Sequence, residues 1–366
     1  MSSGTNIPGA PDEYEATAAE PEDEVIMEIR DTSIEFDMSR GVSRVLNDVN
    51  IDLHRGEVVG VVGESGSGKS MFAATMLDAV VDPGVLRGDI TYHADDGQEI
   101  DVLELNDRSL RQFRWEAVAM VFQGAMNSFN PVLTVRAHFR DTIDAHNAPP
   151  EETMDHAYRL LRDLYLEPDR ILDSYPHELS GGQKQRALIA LSLLLQPNVL
   201  VMDEPTAALD LLMQRSIIDL LKELQDEYEF TMVFITHDLP LVKELCDRVA
   251  VMYAFEFVEV GPTRRIIENS RHPYTRALLN ATPNLDTPVE EMRPIEGSSP
   301  DPVNVPAGCA YHTRCPMADQ RCEAEHPDLV EVEDDHRAAC FYWDNVPDNI
   351  PINIPGAGDD EGGDGE

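Results

Sequence analysis

The sequence predicts an α/β fold around a parallel sheet, and three observations carry that prediction. EVVGVV (residues 57–62), NVLVMD (198–203) and FTMVFIT (230–236) are continuous apolar runs, the pattern of strands buried on both faces. The amphipathic stretch DLLMQRSIIDLLKELQDE (210–227) lies between the second and third runs and reads as a helix. Strand and helix therefore alternate, which is the order of a parallel sheet with crossover helices.

Taken in order, residues 1–24 hold Pro, Ala and Glu without periodicity and are expected to be disordered. From Val25 the text turns strand-like, in VIMEIRDTSIEF and then VNIDLHRGEVVGVVG. AVAMVF (117–122) reads as another short strand. Residues 125–180 read as mainly helical, with loops around NPVL and NAPP, and 186–195 as an apolar helix. Beyond about residue 270 prolines become frequent and periodicity fades; residues 346–366 read as an acidic, flexible tail. No internal repeat is visible.

The chain has 366 residues and is 42% hydrophobic, enough for a main domain and an appendage. The N-terminus is polar and acidic, unlike a signal peptide. No apolar run reaches the roughly 18 residues of a membrane span. The net charge is −41, and lysine occurs only four times, at 69, 184, 222 and 243. Such a chain repels itself except where salt screens it, which suggests a salt-rich cytoplasm. The same charge argues against a nucleic-acid partner.

GESGSGKS (63–70) matches G-x-x-x-x-G-K-[ST] between an apolar strand and a helical segment. Gly63, Gly66 and Gly68 permit a tight turn whose N–H groups, with those of Glu64, Ser65, Ser67 and Met71, can surround a polyphosphate. Lys69 is placed for the β- and γ-phosphates and Ser70 for Mg²⁺. In VLVMDEP (199–205) an acidic pair ends a buried strand, a costly place without a cation or substrate. Asp203 suits Mg²⁺ and Glu204 a general base, although an Asp here could also cap the next turn. LSGGQKQR (179–186) puts Ser180, Gly181, Gly182 and Gln183 at the start of a helix, where an anion is favoured and where, read alone, the motif is a cap.

These three motifs, in this order, resemble those of the ATP-binding-cassette (ABC) ATPases over roughly residues 25–265. The resemblance implies a P-loop ATPase core, RecA-like, with a β subdomain and a helical subdomain at about 125–180. It implies that Gln123 contacts Mg²⁺ and the attacking water, and that His237 in ITHD contacts the γ-phosphate. Phe36 becomes the candidate adenine-stacking aromatic. It also implies a nucleotide-sandwich dimer, in which Ser180, Gly181, Gly182, Gln183 and Asp210 (of TAALD) serve the opposite subunit's ATP.

YPHELSGGQKQR, RHPYTRALLNATP (271–283) and FQGAMNSFNP (122–131) resemble the dipeptide and oligopeptide importer branch. Gly124 and Ala125 stand where that branch usually has Asp-Pro, Gln183 and Lys184 where it has Met-Arg. The resemblance implies an energy-coupling subunit on the cytoplasmic face of the membrane. Its partners would be two integral membrane permease subunits, a second ATPase subunit and an extracytoplasmic solute-binding protein. Closely similar ATPases serve sugars and metal chelates. A soluble cassette protein of translation or repair is the rival, but only one set of motifs and no coiled coil is present.

Four of the five cysteines, Cys309, Cys315, Cys322 and Cys340, fall in one polar segment with spacing C-x5-C-x6-C-x17-C. Disulfides suit an oxidising compartment; a Cys₄ zinc site and an iron–sulfur cluster both fit the ligand type. The segment resembles the C-terminal appendage of the peptide-importer branch, at 266–345, and the resemblance implies a [4Fe–4S] cluster, with zinc the alternative. Its separation from the ATP motifs suits a clamp for the appendage. His312, His326 and His336 are expected to be exposed or behind the ligands, and Cys246 to be core.

Overall fold

The structure is a computed structural model that describes residues 24–124, 128–207, 209–281 and 295–352; the two expected acidic ends, and Ala125, lie outside them or largely so. It opens with two long antiparallel strands, β1 (Val25–Met38) and β2 (Gly41–His54). Then follow β3 (Val58–Val62), α1 (Lys69–Thr75), β4 (Val85–His93), β5 (Glu99–Asp101), α2 (Asp107–Glu116) and β6 (Val118–Val121). Four helices come next: α3 (Val135–His146), α4 (Pro150–Asp163), α5 (Pro168–Asp173) and α6 (Gly181–Ser192). The chain returns through β7 (Val199–Asp203), α7 (Leu211–Tyr228), β8 (Thr231–Ile235), α8 (Leu239–Leu245), β9 (Arg248–Tyr253) and β10 (Glu256–Pro262). Short elements complete it: α9 (Thr263–Asn269), α10 (Pro273–Ala281), α11 (Gln320–Ala324), β11 (Val330–Glu333), β12 (His336–Ala338) and α12 (Val346–Asn349).

The strands form two sheets. One is antiparallel with order β2-β1-β4-β5; the other has eight strands in order β11-β12-β10-β9-β3-β8-β7-β6. From β9 to β6 every pairing in the larger sheet is parallel. The continuous apolar runs follow from this position. In β3, Val58 and Val62 face a helix-covered core while Val59 and Val61 face the core under the smaller sheet. β7 and β8 divide in the same way, with Leu200, Met202 and Phe234 on one side and Val199, Val201 and Val233 on the other. A strand buried on both faces has no polar side to show.

The described residues after 270 carry regular elements despite the fading periodicity. β12 pairs antiparallel with β10, and β11 with β12, so the C-terminal extension continues the main sheet. His336 and Glu259 are both fully buried and meet at 2.8 Å across that joint. His336 is therefore not exposed: it is a buried partner of a carboxyl group. Glu259 also accepts from the backbone N–H groups of Arg271 and His272, so its buried oxygens are held by several partners.

Candidate active site

The C-terminal ends of parallel strands carry four of the sequence-predicted groups to one edge of the sheet, where open α/β sheets place their ligands. Residues 63–70 follow β3, Gln123 follows β6, Asp203 ends β7 with Glu204 behind it, and His237 follows β8. Gly63 has φ 154° and packs so closely on β9 that an added Cβ would lie 2.2 Å from the Met252 carbonyl oxygen. Gly68 has φ 110°, and an added Cβ would lie 2.8 Å from the Val45 carbonyl oxygen. Only glycine fits either place.

Lys69 is buried, and its Nζ donates to the carbonyls of Gly63 and Glu64 at 2.8 and 2.9 Å. Burial lowers its pKa, against the pull of Glu204, Asp203 and Glu64. The Ser67 hydroxyl and Asp203 Oδ1 are buried without a hydrogen-bond partner. Burial raises the Asp203 pKa more than the neighbouring Ser70 hydroxyl and Lys69 lower it. Glu204 has φ 47°, and its Oε1 lies 3.1 Å from His237 Nδ1. The His237 side chain is 64% exposed, so it borders the site from solvent. Gln123 is exposed just beyond β6. Phe36 packs its ring against Gly84, as does the Val80 side chain.

Ser180 is the N-cap of α6, accepting from the Gln183 N–H, while Gln183 Oε1 accepts from the Ser180 N–H. Gly182 is pressed against Met213 of α7. Asp210 is the N-cap of α7. Both motifs are thus helix caps in this single chain. Among the described residues no hydrogen bond joins Ser180–Gln183 or Asp210 to the phosphate loop.

Cys309, Cys315, Cys322 and Cys340 line one cavity of about 20 Å³ with His272, Tyr311 and Phe341 among its walls. All are free thiols. Burial first, and neighbouring thiols after it, push Cys309 up to about 11 and Cys340 up to about 12. Among the described residues no group of three or more His, Cys, Asp or Glu is placed to hold a single metal ion. The four thiols therefore share a cavity without converging on one point. Cys246 is buried in the core, as expected.

The separation in sequence between these cysteines and the ATP motifs does not hold in space. Arg314, between Cys309 and Cys315, is bonded to Glu64 of the phosphate loop, and the Tyr274 hydroxyl accepts from the Glu64 N–H at 2.9 Å. Sequence reasoning missed both contacts. Tyr274 lies in RHPYTRALLNATP, which was singled out only as a family phrase, and nothing local marks Arg314.

A glycine turn around a buried lysine, beside an acidic pair at the end of a buried strand, defines a P-loop nucleotide hydrolase; the capped LSGGQ helix makes it one of cassette type. The family described as ABC transporter matches residues 46–207, and the oligopeptide/dipeptide transporter C-terminal region matches 258–322. The chain is 38% identical over 323 residues to the dipeptide transport ATP-binding protein DppD of Caldanaerobacter subterraneus subsp. tengcongensis, covering 87% of this chain and 98% of that one. It is 37% identical over 325 residues to the oligopeptide transport ATP-binding protein OppD of Escherichia coli K12, covering 88% and 95%. Among solved structures, the dimeric ATP-binding cassette MJ0796 bound to ADP and Pi matches with TM-score 0.56 and 28% identity, over 65% of this chain and 99% of that one. The chain belongs to the ABC transporter ATPases, in the family of dipeptide and oligopeptide transport ATP-binding proteins.

Proposed function

We propose that the chain hydrolyses MgATP to drive import of dipeptides or oligopeptides, as the subunit that couples ATP to two membrane permeases fed by a solute-binding protein. The observation that carries this reading is the buried, unpartnered oxygen of Asp203 beside Ser70 and Lys69. A buried acceptor without a protein partner calls for an ion, a ligand or an ordered water, and beside Ser70 and Lys69 a magnesium-bound phosphate fits. Lys69 and the loop N–H groups hold the phosphates. Ser70, Asp203 and Gln123 would hold Mg²⁺, which supplies charge neutralisation on the phosphates. Glu204 takes the proton of the attacking water, and His237, in contact with Glu204, orients toward the γ-phosphate. Phe36 carries the adenine. Ser180, Gly181, Gly182, Gln183 and Asp210 act on the nucleotide of a second subunit, in keeping with their separation from this chain's own loop.

No helix of the described residues is long and apolar enough to cross a membrane. Placement on the cytoplasmic face therefore rests on the permeases. K69A should abolish detectable MgATP binding. E204Q should bind ATP yet lose about a hundredfold or more in turnover. Normal hydrolysis by either variant overturns the assignment. Uptake of labelled peptides by vesicles holding the assembled transporter tests the solute.

We propose that the four cysteines hold a [4Fe–4S] cluster, with zinc the alternative; both take thiolate ligands, and the shared cavity supports a common ligand for them. Cys309, Cys315, Cys322 and Cys340 would hold it, and bound, it supplies a cross-link within the extension. Iron and sulfide analysis of protein purified without oxygen tests this, and stoichiometric zinc overturns it. The net charge of −41 supports work in a salt-rich cytoplasm. The unfolding temperature should then rise from dilute buffer to molar KCl, and a fall would remove the idea.

A further inference from the structure

The phosphate loop contains one group that works against its task. Glu64 puts a carboxylate in the turn that receives a polyanion, and like charges at this range repel. The group that offsets it comes from the far end of the chain. Arg314 Nη1 donates to Glu64 Oε2 at 2.7 Å and Nη2 to Oε1 at 2.9 Å, a two-pronged pair. The Arg314 side chain is 6% exposed and lies over the rings of Tyr253 and Tyr311, at 5.7 and 5.8 Å. Its Nε donates to the Glu296 carbonyl at 2.7 Å, so the guanidinium is fixed on every side.

The extension also holds Glu64 by other means. The Ser299 hydroxyl donates to Oε2 at 3.1 Å, and Tyr274 takes the Glu64 backbone N–H. Tyr253, Tyr274 and Tyr311 pack on one another with ring centroids 4.4 to 5.4 Å apart. Tyr253 ends β9, whose Met252 carbonyl is the surface against which Gly63 packs. The Glu64 side chain and its backbone N–H are thus held by residues outside the loop, while Lys69 within the loop takes its carbonyl.

We propose that Arg314 is a positioning residue of the ATPase, which neutralises Glu64 and fixes the first turn of the phosphate loop, so that tight ATP binding requires the C-terminal extension to be docked. The proposal rests on residues 63–70 being the ATP-binding loop. A turn already held in shape loses less freedom when ligand binds. A carboxylate already paired does not oppose the phosphates. The planar fork matters here, and a lysine point charge cannot reproduce it.

The test uses the full-length chain with R314M, R314K, E64A and the double variant E64A/R314M. MgATP affinity is read with a fluorescent ATP analogue, kcat and KM are measured separately, and melting curves check folding. R314M should weaken binding about tenfold, within the range for coupled neighbouring groups, and should raise KM more than it lowers kcat. R314K should fall between. E64A should cost less than R314M, because it removes the repelling charge along with the clamp. The double variant should bind like E64A, regaining most of the R314M loss; a residue that only supports the fold would give no such recovery. R314M with unchanged affinity, or a double variant weaker than R314M, overturns the proposal. If R314M does not fold, equal affinities of E64A and the double variant support it and a further loss in the double refutes it. Unchanged ATP affinity in K69A would instead refute the reading of the loop itself.

Discussion

Residues 63–70 and residues 309–322 are both stretches dominated by turns, and they meet at Glu64. The first takes its shape from backbone: three glycines with φ of 154°, 82° and 110°, of which Gly63 and Gly68 pack on strand carbonyls. Around it the Ser67 hydroxyl and an Asp203 oxygen are buried without partners. The second takes its shape from side chains, with Arg314 paired, stacked and hydrogen-bonded at once. The difference teaches a division of labour. The part that receives a ligand relies on glycine for form. The part that holds it relies on the pairing and stacking of one arginine.

Two changes would break or sharpen that contrast. The larger is Gly63→Ala. Its Cβ would stand 2.2 Å from the Met252 carbonyl, and backbone cannot move aside as a side chain can. We expect a loss of about 3 kcal/mol or more in unfolding free energy, from strain and overpacking together, and loss of ATP binding. A variant with normal denaturation and normal binding would show that the loop's form is not set by this contact.

The smaller effect is on the extension side and depends on pH. His272 is fully buried, and its Nδ1 accepts the Tyr274 N–H at 3.1 Å, which requires the neutral ring. Burial lowers its pKa from 6.5 to about 3. The unfolded chain therefore binds this proton first on acidification. The contribution is complete above the unfolded value of 6.5 and is lost as pH falls toward about 3. Between about pH 7 and about pH 5 it amounts to about 2 kcal/mol. Denaturant titrations at both pH values should show a flatter pH dependence in His272→Asn, and an unchanged slope would place the acid sensitivity elsewhere.

The fold and the site were legible in the sequence to the extent that they are local. GESGSGKS, VLVMDEP and LSGGQ each announce themselves within eight residues, because strand burial, glycine turns and helix caps act over short distances. The apolar runs of β3, β7 and β8 gave the parallel sheet for the same reason. What escaped was non-local. Arg314 and Glu64 are 250 positions apart, and an arginine between two cysteines carries no pattern that names its partner. β12 is three residues long, too short to show alternation, and its addition to β10 was invisible. The burial of His336 was not legible because its segment is polar and its partner Glu259 lies in a distant strand.

The join between β10 and β12 has a further consequence, for solubility. β10 is buried along most of its length, and without β12 its outer hydrogen-bonding groups would form an open, largely apolar sheet edge. Such edges pair with other chains. The extension moves the edge outward to β11, a strand of four residues with glutamates at 331 and 333. Glu333 is further occupied by Arg271. The sheet of this ATPase thus ends in a short, charged strand that resists self-association, and the segment that grips the phosphate loop is the same one that closes the sheet.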